Sequence, residues 1–230
     1  MAGTLGLRRG QASPAMTREV WAALPVKGFQ GAKQRLTSLL SAAERAALAA
    51  AMLEDVLEAL SAAPLAGIVV NTTDRAAAAL ARHYGARVIE DGALDGHTGA
   101  VNGIARLLVR EGRAAILAVP GDIPRATARE FGAVLAARPP GRSFVITPAH
   151  DELGSNAVLC APPMAVPLRF GDDSYFPHLA AARQHNTQPV IVRAPGIALD
   201  IDHPADLRAL LAARPKLHTR TERLLAELGV

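Results

Sequence analysis

Short apolar runs separated by helix-length segments recur through the first half of this 230-residue chain, and they restrict it to few folds. The runs at 20–26, 68–71 and 115–119 are apolar at nearly every position, as strands covered on both faces are. Between them, 75–84 and 99–110 read as helices and 87–89 as a short strand. Ser41 with Glu44 forms a capping box at the start of a long helix, and Thr127 with Glu130 caps another ahead of a strand at 143–147. Strands alternating with helices need crossover connections, which predicts a parallel sheet with helices packed on its faces.

Beyond Pro148 the alternation loosens and a mixed sheet is expected: 157–160 and 189–193 are strand-like, 175–185 is helical, and 204–213 is a helix opening on its proline. The last stretch, 217–230, reads as a helix packed on the body or on a second copy of the chain in a homodimer. Residues 1–15 are rich in Gly, Ala and Arg without periodicity and read as a disordered extension, with one domain from 16 to 230. The fold class is therefore single-domain α/β, with a mostly parallel sheet flanked by helices.

Composition removes several function classes. No stretch approaches the roughly 20 apolar residues of a membrane span, and the opening segment lacks the apolar centre of a signal peptide, so a cytoplasmic location without membrane contact is expected. One cysteine, Cys160, cannot close an internal disulfide and reads as a small buried hydrophobe. The net charge is +4, but Lys and Arg are scattered and only 3% of residues are aromatic. That argues against a nucleic-acid surface and for a pocket taking a small anion.

In an open parallel sheet, ligands lie beyond the carboxyl ends of the strands, so the residues following each apolar run are the candidates for chemistry. The first group is the loop from Pro25 and Val26 through Lys27, Lys33 and Arg35, flexible and cationic enough to wrap a triphosphate. It has neither the G-x-x-x-x-G-K-S/T pattern nor a G-x-G-x-x-G helix opening, so its cations must act as side chains. Lys27 and Arg35 are the candidates for neutralising phosphate charge during reaction. In the second, Pro120-Gly121-Asp122-Ile123-Pro124, a carboxylate arrives at a strand end in a turn fixed by Pro and Gly, which suits Mg²⁺ shared with phosphate oxygens.

The third group is Asp200-Ile201-Asp202, where alternation sends both carboxylates to one side, so that with Asp122 they can hold metal. Asp206 reads as a first-turn helix residue. The fourth group joins Gly154-Ser155-Asn156 to Arg169-Phe170-Gly171 and Ser174, whose backbone N–H groups around Gly171 and Ser174 are expected to form an anion nest. Finally, the segment before the 99–110 helix can offer the Thr98 hydroxyl to a nucleobase. His97, His83, His150, His178 and His185 have no metal-ligand spacing and are not read as functional.

Taken in order, Ala32-Lys33-Gln34-Arg35-Leu36, Gly121-Asp122-Ile123-Pro124, Gly154-Ser155-Asn156-Ala157, Arg169-Phe170-Gly171 and Asp200-Ile201-Asp202 resemble the guanylyltransferases that act on 2-phospho-L-lactate, phosphoenolpyruvate or 3-phospho-D-glycerate in coenzyme F420 biosynthesis. The resemblance implies a glycosyltransferase-A-like, Rossmann-like nucleotidyltransferase fold with GTP and a small phosphorylated carboxylic acid as partners. It also implies Mg²⁺ on Asp122, Asp200 and Asp202, and an acceptor pocket at Asn156, Gly171 and Ser174. Many relatives carry Thr at the position of Asn156, and Leu-Asn at that of His97-Thr98. The extra donor of an amide predicts an acceptor with a further hydroxyl, such as phosphoglycerate. Two other readings use the same residues: a nucleotidyltransferase for a sugar phosphate or molybdopterin, and a nucleotide-binding module without turnover.

Overall fold

The computed structural model describes residues 19–171 and 173–230. The extension expected at 1–15, and the domain start at 16, lie outside the described residues. Seven strands form one sheet: β1 (Val20–Pro25), β2 (Gly67–Asn71), β3 (Arg87–Ile89), β4 (Ala115–Ala118), β5 (Ser143–Pro148), β6 (Ser155–Ala161) and β7 (Pro189–Ile191). Their order is β3-β2-β1-β4-β6-β5-β7. All neighbours pair in parallel except β6, which runs antiparallel to both β4 and β5. The expected mostly parallel sheet, mixed beyond residue 148, is what forms.

The helices are α1 (Ala42–Ser61), α2 (Arg75–His83), α3 (Gly96–Arg110), α4 (Ala128–Ala136), α5 (Tyr175–Gln184), the short α6 (Pro195–Ala198), α7 (Pro204–Ala212) and α8 (Arg220–Glu227). Both predicted capping boxes form, with the Glu44 carboxylate accepting from Ser41 N–H at 2.7 Å and that of Glu130 from Thr127 N–H at 3.1 Å. Helix α3 starts three residues earlier than expected, putting His97 and Thr98 in its first turn. Two glycines in four residues hide that turn from propensity, and Gly96 at φ 75° supplies the bend into it.

Alternate residues of β1 feed different cores. Ala22 and Leu24 pack with Leu53 and Leu57 of α1 and Phe131 of α4 on one face, while Ala23 packs with Ile104 of α3 and Leu179 of α5 on the other. A third cluster lies off the sheet, uniting Leu36 and Leu40 with Leu48 and Met52 of α1, Ile201, Leu207 and Leu210 of α7, and Leu225 of α8. The carboxylate of Asp55 in α1 accepts from the N–H groups of Arg220 and Thr221 at 2.8 and 3.0 Å, so the final helix packs on the body. The chain from β1 leads to β2 on one side and β4 lies on the other, and that reversal opens a crevice at their carboxyl ends.

Candidate active site

The crevice is a cleft of about 1020 Å³. Its walls come from the loop after β1, the turn after β4, the start of β6, the first turn of α3, Phe170, Gly171 and Ser174, and the segment between α6 and α7. The antiparallel β6 starts at the edge where β1 and β4 end, which brings Ser155 and Asn156 to the cleft.

The third core cluster sets the positions of its charged residues. Leu36 and Ile201 are both fully buried in that cluster, and each anchors a neighbouring polar segment. Alternation about Ile201 leaves Asp200 and Asp202 on the cleft, as expected, and Ile201 N–H donates to the Asp122 carbonyl at 3.1 Å, which holds the two acidic segments together. At the start of α7 the Asp206 carboxylate accepts from Asp202 N–H at 2.9 Å and His203 N–H at 2.7 Å.

Lys33 lies between the acidic segments. Its ammonium donates to Asp202 Oδ1 at 2.8 Å and to Asp122 Oδ2, with 9% of the side chain exposed. Burial works to discharge the lysine, yet the two carboxylates outweigh it and push its pKa up to about 12. Burial works to raise the Asp202 carboxyl, but Lys33 and Arg35 hold it below its ordinary value. Asp200 goes the other way: burial raises it, the charges of Asp122 and Asp202 add to that, and the hydrogen bond from Asn156 at 2.9 Å opposes it.

These residues can be tested against a divalent cation. Among the described residues no three His, Cys, Asp or Glu side chains gather in a cation-holding group, so Asp122, Asp200 and Asp202 do not form the three-carboxylate set expected, and Asp200 is turned towards Asn156. Asp122 and Asp202 nevertheless converge on one cation already, and Asp122 Oδ1 is buried without a hydrogen-bond partner. Two carboxylates with substrate oxygens and water are what magnesium requires, so the pair fits a divalent ion.

Lys27 is exposed in the cleft, and Arg35 lines it with its guanidinium 3.3 Å from His203 Nε2 and 3.9 Å from Asp202. Pro25 and Val26 line the cleft beside Asn71, whose amide donates to the carbonyls of Asp91 at 2.6 Å and Ala100 at 2.8 Å. Thr98 is placed differently from expectation. Its hydroxyl accepts from Phe170 N–H at 2.9 Å and donates to the Phe170 carbonyl at 3.2 Å, so it fastens the backbone at Phe170 and is not among the cleft-lining residues. His97, not read as functional, lines the cleft in its place and packs on Phe170 at 4.7 Å between ring centroids. Burial, with the charge of Lys27, pushes its imidazole below the ordinary range, against the pull of Asp122.

On the opposite wall Asn156, Gly171 and Ser174 come together as expected, but the donors assigned to two of them are engaged. The Asn156 amide donates to the carbonyls of Ile197 and Ala198 at 3.1 and 3.0 Å as well as to Asp200. Ser174 N–H donates to the Leu153 carbonyl at 3.0 Å, which removes it from an anion nest, while Gly171 stays exposed in the cleft. Behind them is a network the sequence did not announce. The Ser174 hydroxyl donates to Ser155 Oγ at 3.2 Å, Ser155 Oγ meets His178 Nδ1 at 3.1 Å, and His178 Nε2 accepts from Arg169 N–H at 3.1 Å. An accepting Nε2 requires the neutral imidazole with its proton on Nδ1. Burial pushes His178 down to about 4, so it stays neutral. Asn71, His150 and His203 also line the cleft, and none has a pattern in sequence.

Comparison with known proteins gives a family and a fold. Residues 20–229 match the family described as guanylyl transferase CofC like. The phosphoenolpyruvate guanylyltransferase of Rubrobacter xylanophilus is 36% identical over 194 residues, 84% of this chain and 94% of that protein. That of Roseiflexus castenholzii is 38% identical over 209 residues, 91% and 95% of the two chains. The 3-phospho-D-glycerate guanylyltransferase of Colwellia psychrerythraea is 35% identical over 188 residues, 81% and 89%. Among solved structures, a nucleotidyl transferase from Methanothermobacter superposes with a TM-score of 0.56 at 16% identity, covering 83% of this chain and 95% of that one. At that identity the likeness concerns the fold alone.

Proposed function

This chain belongs to the guanylyl transferase CofC-like family, and from that premise we propose that it transfers GMP from GTP to the phosphate of a small phosphorylated carboxylic acid, releasing pyrophosphate. The observation that carries the reading is the meeting of Lys33 with Asp122 and Asp202 at the strand ends, in a cleft that also presents Lys27 and Arg35. An acceptor phosphate oxygen attacks the α-phosphorus of GTP, and the bond from that phosphorus to the bridging oxygen breaks as pyrophosphate leaves in line. No protein nucleophile is needed, so catalysis consists of positioning and charge neutralisation.

In this reading Pro25 and Val26 border the nucleotide, while Lys27, Lys33 and Arg35 meet its phosphates. Asp122 and Asp202 would hold a magnesium ion, with Asp200 beside them, and the ion would supply withdrawal of charge from phosphate oxygens. Gly171 borders the acceptor. Asn156 and Ser174 shape that side of the cleft from behind, since their donors already have partners. The amide hydrogens that could have met an additional hydroxyl face protein carbonyls and Asp200, which removes the reason to favour phosphoglycerate. We therefore favour phosphoenolpyruvate, the acceptor named for both the Rubrobacter and Roseiflexus relatives. The product would serve coenzyme F420 biosynthesis in the cytoplasm; among the described residues no helix is long and apolar enough to cross a membrane.

The test is pyrophosphate release from GTP and magnesium with phosphoenolpyruvate, 2-phospho-L-lactate or 3-phospho-D-glycerate, with ATP and CTP as controls. Release with GTP and phosphoenolpyruvate is expected. Release with another of the three corrects the acceptor and keeps the reaction. No release with any acceptor, from folded protein, ends the reading.

A further inference from the structure

The ammonium of Lys33 lies where a bound cation belongs, bonded at once to Asp122 and Asp202. Three features separate this contact from an ordinary surface ion pair. The lysine side chain is only 9% exposed, so its charge is largely out of water. Its backbone is left-handed at φ 52° and ψ 46°, a conformation disfavoured for any residue with a Cβ and held here by its surroundings. Those surroundings are fixed on both sides: Leu36 is buried in the third core cluster, and the Arg45 guanidinium donates to the Ala32 carbonyl at 3.3 Å and the Leu40 carbonyl at 2.7 Å.

Resting on the reading of this cleft as a metal–nucleotide site, we propose that Lys33 is the resident counter-cation of that site: it occupies the space between Asp122 and Asp202 until a divalent ion arrives, and then moves to the nucleotide phosphates. An ammonium and a divalent ion cannot share the same oxygens, because like charges at contact distance repel strongly where water is scarce. Free metal must therefore evict a paired, mostly buried ammonium and brings no anion to replace the partners it takes. A metal–nucleotide complex brings that anion with it. Metal and nucleotide affinities are then coupled, and the coupling is reciprocal. Asp122 Oδ1, buried and, among the described residues, without a hydrogen-bond partner, is the carboxylate oxygen left over for the incoming ion while Oδ2 still holds the lysine.

Mn²⁺ binding followed by electron paramagnetic resonance tests this without turnover. In the absence of nucleotide, K33M should bind Mn²⁺ about tenfold or more tighter than wild type, the scale of one lost charge contact. Adding a non-hydrolysable α,β-methylene GTP analogue should tighten Mn²⁺ binding in wild type far more than in K33M. A folded K33M that binds Mn²⁺ no better than wild type overturns the proposal. A second measurement needs no destabilising change: the Lys33 ¹³Cε resonance, assigned with K33R, should shift on adding Mg²⁺ with the analogue and hold still with the same Mg²⁺ alone. A resonance unmoved by both overturns it as well. If K33M gains Mn²⁺ affinity while no acceptor supports pyrophosphate release, the guanylyltransferase reading fails and the counter-cation role stands.

Discussion

The two walls of the cleft are built on opposite principles. Among the described residues, the wall formed by the loop after β1 and the turn after β4 carries exposed Lys27, a carboxylate oxygen of Asp122 without a hydrogen-bond partner, and a lysine whose ammonium is held by two acids. The wall formed by β6, α5, Phe170 and Gly171 has its polar side chains already bonded: Asn156 to two carbonyls and Asp200, Ser174 to Ser155, and Ser155 to His178. One wall leaves charge to be completed by a ligand, while the other has its polar side chains paired before anything binds. Under the proposed function, a triphosphate with its metal would bring several charges to complete the first wall, whereas a three-carbon acid would make few contacts and need a preformed shape.

If that contrast is right, substitutions on the open wall change chemistry and those on the closed wall change stability. Asp122→Asn should lower kcat by about 100- to 1000-fold, the scale of a lost electrostatic contact in a transition state, with melting temperature nearly unchanged. Near-normal turnover would remove Asp122 from the reacting charges. On the closed wall the corresponding lever is acid. The folded protein keeps His178 neutral down to about 4, whereas the unfolded chain takes up that proton near 6.5. Stability is therefore full above about 6.5 and falls by up to about 3 kcal/mol as the pH drops to 4. Urea unfolding of wild type and His178→Gln across that window should show a flatter dependence in the variant. Equal slopes would place the acid sensitivity elsewhere.

A smaller effect is expected of Lys27→Met, which should raise KM for GTP by about tenfold in low salt, the size of one exposed charge contact to a phosphate, and by less as salt rises. Steady-state kinetics at two ionic strengths would measure it, and a kcat loss without a KM change would mean that Lys27 acts only in the transition state. Smallest is Asn156→Thr. It should cost about 1 kcal/mol of unfolding free energy through lost hydrogen bonds and leave the ranking of the three acceptors unchanged. A switched ranking would show that the closed wall reads the substrate directly.

Much of the frame was legible beforehand because it depends on local pattern. Each strand through Thr147 and both capping boxes came from runs of apolar residues and from Ser or Thr three residues ahead of Glu, while the looser pattern beyond Pro148 announced a mixed sheet without saying which strand would run antiparallel. Asp200 and Asp202 facing one way followed from alternation, since Ile201 between them is buried. What was not legible depends on partners far apart in the chain. Lys33 and Asp202 are separated by 169 positions, and nothing near either one says that they bond. Thr98 looked open because its two partners belong to Phe170, 72 residues on. His178 looked like an incidental helix residue until Ser155 and Arg169 closed on its two nitrogens. Helix α6, four residues long, has too few positions for any period to register.

The cluster beneath Lys33 bears on how the protein can be handled. Leu225 of the final helix shares a core with Leu36 and Ile201, and Arg125, three residues past Asp122, is held by Glu222 of the same helix at 2.7 Å. The tail is thus part of the foundation of the cleft loop that carries Lys33 and of the turn that carries Asp122. Cutting the chain at Thr219 to improve expression would remove that footing and leave Leu36, Ile201 and Arg125 without these partners.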